Sequence, residues 1–189
     1  NNTLFCGLPE PLLREVAEFC KLRQVDDGAL IHGYGDAPDG MYLIVSGGMR
    51  ATVSSSEGRE GLLAVMQAGA WFGESSLFDG LPRAYEARAE GETLLVFVPS
   101  AGMHRLLLQR PELYRNLVPL LCQRIRLSLA LLQTNALLPL EGRLAQRLLL
   151  LTGDAGPDAQ DEIRLSQEDL SQMMGVTRQS INRMLKLWQ

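Results

Sequence analysis

The sequence has few histidines and cysteines, and neither residue forms a metal-binding pattern. His32 and His104 are the only histidines, and Cys6, Cys20 and Cys122 are scattered without a C-x-x-C pair. Zinc and iron–sulfur sites need clustered ligands, and disulfide frameworks need paired cysteines. We therefore expect no metal centre and buried free thiols. The scarcity of histidine also argues against a metal-dependent enzyme of the cupin type.

The chain also lacks a long uninterrupted apolar run. The richest apolar stretch, residues 117–138, is interrupted by Gln123, Arg124 and Arg126, and such charges are costly inside a bilayer. We find no basic-then-apolar secretory leader, no nucleophile–base pair and no catalytic carboxylate dyad. We expect a cytoplasmic protein that does not bind a membrane and is not an enzyme.

Charge is unevenly distributed along the chain. The 189 residues are 46% hydrophobic and 21% charged, with a net charge of −4, which is typical of a globular protein of one large or two small domains. Residues 163–189 carry four basic and two acidic side chains, whereas the remainder carries 14 basic and 20 acidic ones. A basic end on an acidic body indicates that only this end approaches a polyanion.

Short strand-like runs separated by glycines fill the first half of the chain. A helical pattern opens at Pro9 and Pro11, and the strand-like runs follow at residues 29–31, 41–45, 49–53, 62–65 and 93–98. Glycine-punctuated strands at intervals of about 8–12 residues are typical of a β-sandwich or roll. The pattern becomes helical after Pro99, so the sequence predicts an α+β fold.

One stretch, residues 72–84, carries side chains suited to a phosphorylated sugar. Gly73 lets the backbone approach a ligand closely, and a short helical turn beginning at Ser75 would present N–H groups that attract an anion. Arg83 can fork onto phosphate oxygens, and Glu74 can accept a hydrogen bond from a sugar hydroxyl. The stretch therefore predicts a pocket for a phosphorylated ribose.

This stretch resembles the phosphate-binding cassette of cyclic-nucleotide-binding domains, whose pattern is F-G-E followed further on by R-(S/T/A)-A. The resemblance implies that Glu74 binds the ribose 2′-hydroxyl and that Arg83 binds the cyclic phosphate. It also implies that the amides of Gly73 and Ala84 bind the remaining phosphate oxygens. Tyr85 stands where the family usually has a small residue. A bulkier wall there would shift the purine or exclude it.

A helical pattern with two apolar stripes covers residues 119–138. One stripe reads Leu121, Ile125, Ser128, Leu132 and Asn135, and the other reads Leu120, Leu127, Leu131 and Leu138. Two apolar faces need two partners. We assign the second stripe to the β-roll and the first to the symmetry mate of a homodimer. Pro139 is expected to end this helix.

The last segment has the pattern of two helices joined by a tight turn. Ser166 and Asp169 match a capping-box start, Gly175 suits the end of the first helix, and Thr177 suits the start of the second. We expect an inward face of Ile181, Leu185 and Trp188, with Met184 beside it. The opposite face is polar and free of acidic residues, with Arg178, Gln179, Asn182, Arg183 and Lys186. This helix-turn-helix is typical of DNA-binding domains.

Residues 177–183 resemble the recognition helix of the Crp/Fnr family of bacterial transcription regulators. That family joins a cyclic-nucleotide-binding jelly roll, a long dimerisation helix and a winged helix-turn-helix in this order. The resemblance implies a β-roll at residues 1–110, a dimerisation helix at 111–138 and a DNA-binding domain at 139–189. The sequence ends before the family's wing, so we expect a helix-turn-helix domain with the wing missing.

The same resemblance implies the binding partners. The effector would be a cyclic nucleotide, with cAMP as the first expectation, and no other cofactor is implied. Arg178, Gln179 and Arg183, with Asn182 beside them, would read bases in an inverted-repeat operator of double-stranded DNA. RNA polymerase is a further expected partner.

The resemblance also implies a contact between the purine and the long helix. In the family, two adjacent hydroxyl-bearing positions of this helix touch the exocyclic amine. Those positions are Ser128 and Leu129 here, so Ser128 is a candidate ligand contact, whereas Leu129 has no hydroxyl.

Three alternatives stay open. The same architecture could sense haem, a gas, redox state or another nucleotide, although the N-terminal region lacks the cysteine cluster of the iron–sulfur version. A nucleotide-regulated signalling subunit would use its C-terminal helices to bind protein, and the basic face of the last helix argues against that function. A cupin-like enzyme is opposed by the histidine content.

Overall fold

The computed structural model describes residues 7–152 and 165–188, so Cys6 lies outside the described residues. The chain divides into two compact units, residues 1–123 and 124–189. The first contains an antiparallel sheet with flanking helices, and the second is helical where it is described. This is the α+β fold that the sequence predicts. The three-part division at residues 110 and 138 stays a prediction.

The first unit begins with the helix that the sequence predicts after Pro9, α1 (Glu10–Phe19). Six strands follow: β1 (Lys21–Val25), β2 (Leu30–His32), β3 (Gly40–Ser54), β4 (Glu60–Gln67), β5 (Trp71–Phe72) and β6 (Glu86–Pro99). A short helix, α2 (Glu74–Asp79), lies between β5 and β6, and α3 (Ser100–Gln109) follows β6. The helical turn predicted near Ser75 is therefore confirmed.

The strands pair antiparallel in the order β1-β6-β3-β4, with β2 also paired to β6 and β5 to β3. The prediction of separate strands at 41–45 and 49–53 is wrong, because both runs lie in β3. Gly47 between them has a φ of 77°, and the register with β6 shifts there. A Cβ at this position would lie 2.5 Å from the Glu92 carbonyl oxygen. Glycine therefore lets the strand bulge and continue.

Two apolar clusters hold the first unit together. One packs the helices against the sheet and includes Val16, Met41, Trp71, Leu77, Val98 and Met103. The other includes Tyr42, Ile44, Met49, Phe72, Leu95 and Phe97; we call it the inner cluster. Phe72 ends β5 in the inner cluster, and Leu77 anchors α2 in the other cluster. The loop that carries the predicted ligand site is therefore fixed on both sides.

The long helix begins close to residue 111, where the sequence places its start, and it is not interrupted at Pro119. A 3-10 turn at Pro111–Leu113 leads into α4 (Tyr114–Leu137), which contains Pro119 in its interior. The buried side chains of Leu113 and Leu117 anchor this beginning in the first unit's core. Proline removes one backbone donor close to the helix N-terminus, so the helix continues through it. Helix α5 (Leu140–Thr152) begins directly after Pro139, as predicted.

Helices α5, α6 (Gln167–Met174) and α7 (Arg178–Leu187) share an apolar core formed by Leu144, Leu170, Ile181 and Met184. The predicted capping box is present, since the Ser166 hydroxyl accepts from the Asp169 amide while the Asp169 carboxylate accepts from the Ser166 amide. Gly175 ends α6 with a φ of 64°.

The predicted inward face of α7 is partly wrong. Ile181 and Met184 are buried and Leu185 packs against the same core, but Trp188 is 47% exposed. Trp188 follows the last residue of α7 as its C-cap, so the helical spacing no longer holds its ring towards the core.

The thiols also differ from expectation. Cys20 is half-buried, and burial raises its pKa to about 11, whereas Cys122 is exposed on α4. The expectation of buried thiols is therefore wrong for Cys122. Among the described helices, none has the length and apolar content needed to cross a membrane.

Candidate functional site

The predicted cassette forms a tight corner between β5 and β6. Gly73 adopts a left-handed conformation with a φ of 82° and directly precedes α2. Glu74 is the first residue of that helix and is only 7% exposed. Ser75 and Ala84 are exposed. The corner thus combines a buried carboxylate with backbone and side-chain groups that solvent can reach.

The Arg83 side chain is buried inside this corner. It is 2% exposed, and its Nη1 donates to the Gly73 carbonyl at 3.0 Å. Its Nη2 donates at 2.6 Å both to the Gly40 carbonyl and to Asp39 Oδ1. The first and last parts of the cassette therefore meet in space, while the binding of a phosphate by Gly73 and Arg83 stays a prediction.

The Arg83 guanidinium keeps unused hydrogen-bonding capacity. A guanidinium has five N–H donors, and the contacts to Gly73, Gly40 and Asp39 use three of them. Nε is buried and has no hydrogen-bond partner among the described residues. Leaving such a donor unsatisfied costs roughly 1–3 kcal/mol. The site therefore favours an anion or another acceptor beside Nε.

Asp39 is a site residue that sequence reasoning missed. Besides Arg83, it accepts a hydrogen bond from the Tyr42 hydroxyl at 3.1 Å. Burial, and then the nearby Asp39 carboxylate, raises the pKa of Tyr42 to about 12, so this hydroxyl stays protonated and donates. The only signal in the sequence is an acidic residue directly before a strand, β3.

His32 is the second residue that was missed. It is 5% exposed, and neither ring nitrogen makes a well-formed hydrogen bond to any described residue. Its ring centroid lies 6.1 Å from that of Phe72 and 5.4 Å from that of Tyr85. Burial, followed by the positive charge of Arg83, lowers the pKa of His32 to about 4. The imidazole is therefore neutral at pH 7.

Tyr85, which departs from the family pattern, packs on the same side of the sheet. It is half-buried against the inner cluster, with its ring next to His32. Its effect on a bound purine stays a prediction. The ring nevertheless adds aromatic surface directly after Ala84, where a small residue would leave space.

Ser128 belongs to the second unit. It is exposed, and its hydroxyl donates at 3.0 Å to the Arg124 carbonyl one turn earlier in α4. This bond is local to the helix and uses only the hydroxyl's proton, so its oxygen can still accept a hydrogen bond from a ligand donor. Its predicted contact with a ligand stays a prediction.

The predicted DNA-reading residues lie on α7. Thr177 caps the helix by accepting from the Ser180 amide at 3.2 Å. Arg178, Gln179 and Arg183 are exposed, and Asn182 is half-buried. Arg178 and Arg183 make no ion pair with any residue that the structure describes. The guanidinium groups are therefore available to a polyanion.

We predict that Gly73→Ala destabilises the first unit more than Gly80→Ala does. Both glycines have a left-handed φ, 82° and 70°, so both substitutions carry that backbone cost of about 1–2 kcal/mol. Only at position 73 would the new Cβ meet a group, Arg83 Nη1 at 2.6 Å; nothing lies within 4 Å at position 80. We expect an additional loss of about 1–3 kcal/mol for Gly73→Ala.

Urea unfolding followed by Trp71 fluorescence, in a Trp188→Phe background, measures this difference, because these are the chain's two tryptophans. Equal losses in the two alanine variants would contradict the close contact between Gly73 and Arg83.

Comparison with known proteins identifies both units. The family model of the cyclic nucleotide-binding domain matches residues 22–110, and that of the Crp-like helix-turn-helix domain matches residues 142–189. A CRP-like cAMP-activated global transcriptional regulator of Mycobacterium tuberculosis is 30% identical over 162 residues, which cover 84% of this chain and 72% of that protein.

Solved structures show the same fold. The catabolite activator protein of Thermus thermophilus is 29% identical, with a TM-score of 0.62 over 98% of this chain and 85% of that one. The c-di-GMP responsive global regulator CLP of Xanthomonas campestris is 19% identical, with a TM-score of 0.78 over 95% of this chain and 91% of that one. That similarity supports the fold alone.

These observations define a transcription regulator with a β-roll of the cyclic nucleotide-binding type and a Crp-like helix-turn-helix. The chain belongs to the Crp/Fnr family, as the cassette and the last helix predicted.

Proposed function

We propose that the protein is a DNA-binding transcription regulator whose β-roll binds a cyclic nucleotide, with cAMP as the first candidate. The observation that carries the proposal is the buried Arg83 guanidinium, which has an unsatisfied Nε and lies in the same corner as Glu74. Arg83 would bind the cyclic phosphate, and Glu74 would accept from the ribose 2′-hydroxyl. Backbone amides of Gly73 and Ala84, and the exposed residue Ser75, would complete the contacts.

We further propose that α7 reads operator DNA. Its exposed basic face, with no acidic residue from Arg178 to Leu187, supports a helix that enters the major groove. The names of the relatives as transcriptional regulators support the same function and support a protein that is not an enzyme. RNA polymerase is a further proposed partner, and action on bacterial DNA implies the cytoplasm.

The proposed active form is a homodimer that pairs through residues 119–138. Ile125 and Leu132 on the first apolar stripe are 60% and 64% exposed, and apolar side chains repeated along one helix face suit a partner helix. A two-fold dimer requires an inverted-repeat operator, with half-sites about 34–36 Å apart.

A second candidate effector is a cyclic dinucleotide, bound by the same architecture. Tyr85 beside His32 favours it, because added aromatic volume at this position changes the space that a single purine would use. The structural neighbour named as c-di-GMP responsive has the same fold. Calorimetry with cAMP, cGMP and c-di-GMP, combined with DNA binding at saturating ligand, tests both candidates. No binding by any of these ligands would reject a cyclic-nucleotide effector.

We predict that Ser128→Ala leaves nucleotide affinity nearly unchanged but reduces the nucleotide's effect on DNA binding. The contacts of the cassette remain, whereas the proposed hydrogen bond that the purine amine donates to the Ser128 hydroxyl of α4 is lost. A ligand shifts an equilibrium only by its different affinity for the two states, so the coupling falls. One neutral hydrogen bond of about 0.5–1.5 kcal/mol corresponds to a roughly 2- to 10-fold loss of coupling.

The measurement is DNA affinity with and without saturating nucleotide, with Ser128→Thr as the hydroxyl-retaining control. If Ser128→Ala and wild type respond equally, the signal does not pass through Ser128. Tyr85 or the junction at Pro139 would then be the next places to test.

A further inference from the structure

A buried polar cluster remains unassigned next to the proposed phosphate site. Nε of Arg83 and both ring nitrogens of His32 are buried and make no well-aligned hydrogen bond to the described residues. The backbone of Gly33 is near enough to the imidazole to offer it a weak hydrogen bond. Three unsatisfied nitrogen atoms in one part of a roll are uncommon, because buried polar groups in folded proteins are nearly always hydrogen-bonded. Such a cluster indicates that a polar group is missing beside Arg83 Nε and one nitrogen of the imidazole.

The backbone holds His32 and Arg83 in a fixed relation. The turn after His32 is tied to Arg83 by two hydrogen bonds, from the Gly35 amide to the Arg83 carbonyl at 2.8 Å and from the Arg83 amide to the Asp36 carbonyl at 2.9 Å. Arg83 cannot shift without this turn. The proposed phosphate site and the imidazole are therefore parts of one rigid corner.

The rings around His32 come from both ends of the cassette. Phe72 directly precedes Gly73, and Tyr85 directly follows Ala84. The ring centroid of Phe72 lies 6.1 Å from that of His32, and that of Tyr85 lies 5.4 Å from it. These are the separations of aromatic rings that pack against each other. Arg83 itself lies over the Tyr42 ring at 5.8 Å, and the Tyr42 ring centroid is 6.2 Å from that of His32. His32 thus lies next to side chains at both ends of the cassette.

The charges near His32 suit an anion as the missing group. Arg83 is positive, while Asp39 is already bonded to Arg83 and Asp36 accepts from the Gly33 amide at 2.7 Å. A neutral imidazole has one N–H donor and one acceptor nitrogen. It can donate to a phosphate oxygen without adding a second positive charge beside Arg83.

We infer that His32 is a further effector-binding residue, which donates a hydrogen bond from its neutral ring to the anionic group that Arg83 binds. The inference rests on the proposed function, because it assumes a phosphate-bearing effector in the β-roll. It assigns His32, together with Arg83, to the recognition of the phosphate, and it leaves Glu74 to recognise the sugar.

The test compares the full chain with His32→Phe and His32→Gln, using cAMP, cGMP and c-di-GMP as calorimetric probes at pH 7.5. Phenylalanine fills a similar volume among Phe72, Tyr42 and Tyr85 but removes both nitrogens. We expect His32→Phe to bind the preferred probe about 10-fold more weakly or worse, because hydrogen bonds to charged groups are the stronger ones. His32→Gln, which keeps a donor and an acceptor, should retain most of the affinity.

Thermal melting without ligand separates this role from a structural one. Replacing buried unsatisfied groups with an apolar side chain of the same shape is neutral or stabilising, so His32→Phe should melt at the wild-type temperature or above it. Wild-type affinity in His32→Phe overturns the inference. The inference is also overturned if His32→Phe and His32→Gln both bind the probe more weakly and both melt at equally lowered temperatures, because the role of His32 would then be structural.

Nuclear magnetic resonance of the ring nitrogens gives a readout in the unmodified protein. The chain has two histidines, and His104 is the internal control because its Nε2 already contacts the Leu77 carbonyl at 2.8 Å. Saturation with the bound probe should shift the His32 signals and leave those of His104 nearly unchanged. If a probe binds and the His32 signals do not shift, the role of His32 is rejected and the proposed function stands. If no probe binds to wild type, both the proposed effector class and this inference are rejected.

Discussion

Arg83→Ala should weaken cyclic-nucleotide binding by roughly 2–5 kcal/mol, which is about 30-fold or more. The variant removes the only guanidinium in the cassette and leaves the bound phosphate without its charged partner. Because the side chain is 2% exposed, solvent does little to screen this interaction. Glu74→Ala should have a smaller effect, seen mainly as a weaker preference for ribose over deoxyribose.

The same substitution also affects the fold. Arg83 donates to the carbonyls of Gly73 and Gly40 and to Asp39, and alanine leaves these acceptors without that donor. We expect a loss of at least about 1 kcal/mol in the free energy of unfolding of the first unit. Binding must therefore be measured at a temperature where both proteins are folded.

Arg88→Ala is the matched control. Arg88 lies on β6 outside the cassette, pairs with Glu86 at 2.6 Å and donates to the Gly28 carbonyl at 3.2 Å, and its side chain is about half exposed. Its removal changes the net charge of the unit equally and should leave nucleotide affinity unchanged. If calorimetry shows that wild type and Arg83→Ala bind the cyclic nucleotide with equal affinity, the proposal that the β-roll binds a cyclic nucleotide is wrong.

Features that depend on neighbouring residues in the sequence were predictable. The capping box of Ser166 and Asp169, the left-handed Gly175 and the helical turn in the cassette all arise from contacts within a few residues. The break at Pro139 has the same origin. Local chemistry decides these features, so the sequence alone is sufficient.

Features that depend on distant residues were not predictable in this way. Gly47 has the sequence signature of a turn, yet pairing with β4 and β6 on either side keeps β3 continuous through it. Asp39 and Arg83 are 44 positions apart and meet only through the sheet. His32 lies in a three-residue strand that carries no ligand motif. Its two unsatisfied nitrogens become visible only when its neighbours are placed around it.

The proposed DNA-binding surface on α7 yields the second large expected effect. Arg178→Ala and Arg183→Ala should each reduce discrimination at particular base pairs by roughly 1–3 kcal/mol, because arginine can donate two hydrogen bonds to O6 and N7 of guanine. Both side chains are exposed, and Thr177 holds the first turn of α7 in place. The melting temperature should therefore change little, and the loss should concern recognition.

Lys186→Ala provides the comparison on the same helix. Lys186 lies in the last turn of α7, away from the N-terminal residues that enter the groove first. Its loss should weaken binding to all sequences alike and lower the salt dependence by about one unit of slope. Affinities for a set of operators with single base changes, measured at two salt concentrations, distinguish the two patterns. If Arg178, Gln179 and Arg183 variants all lose affinity uniformly across sequences, these side chains contact phosphates, and another part of the protein must read the bases.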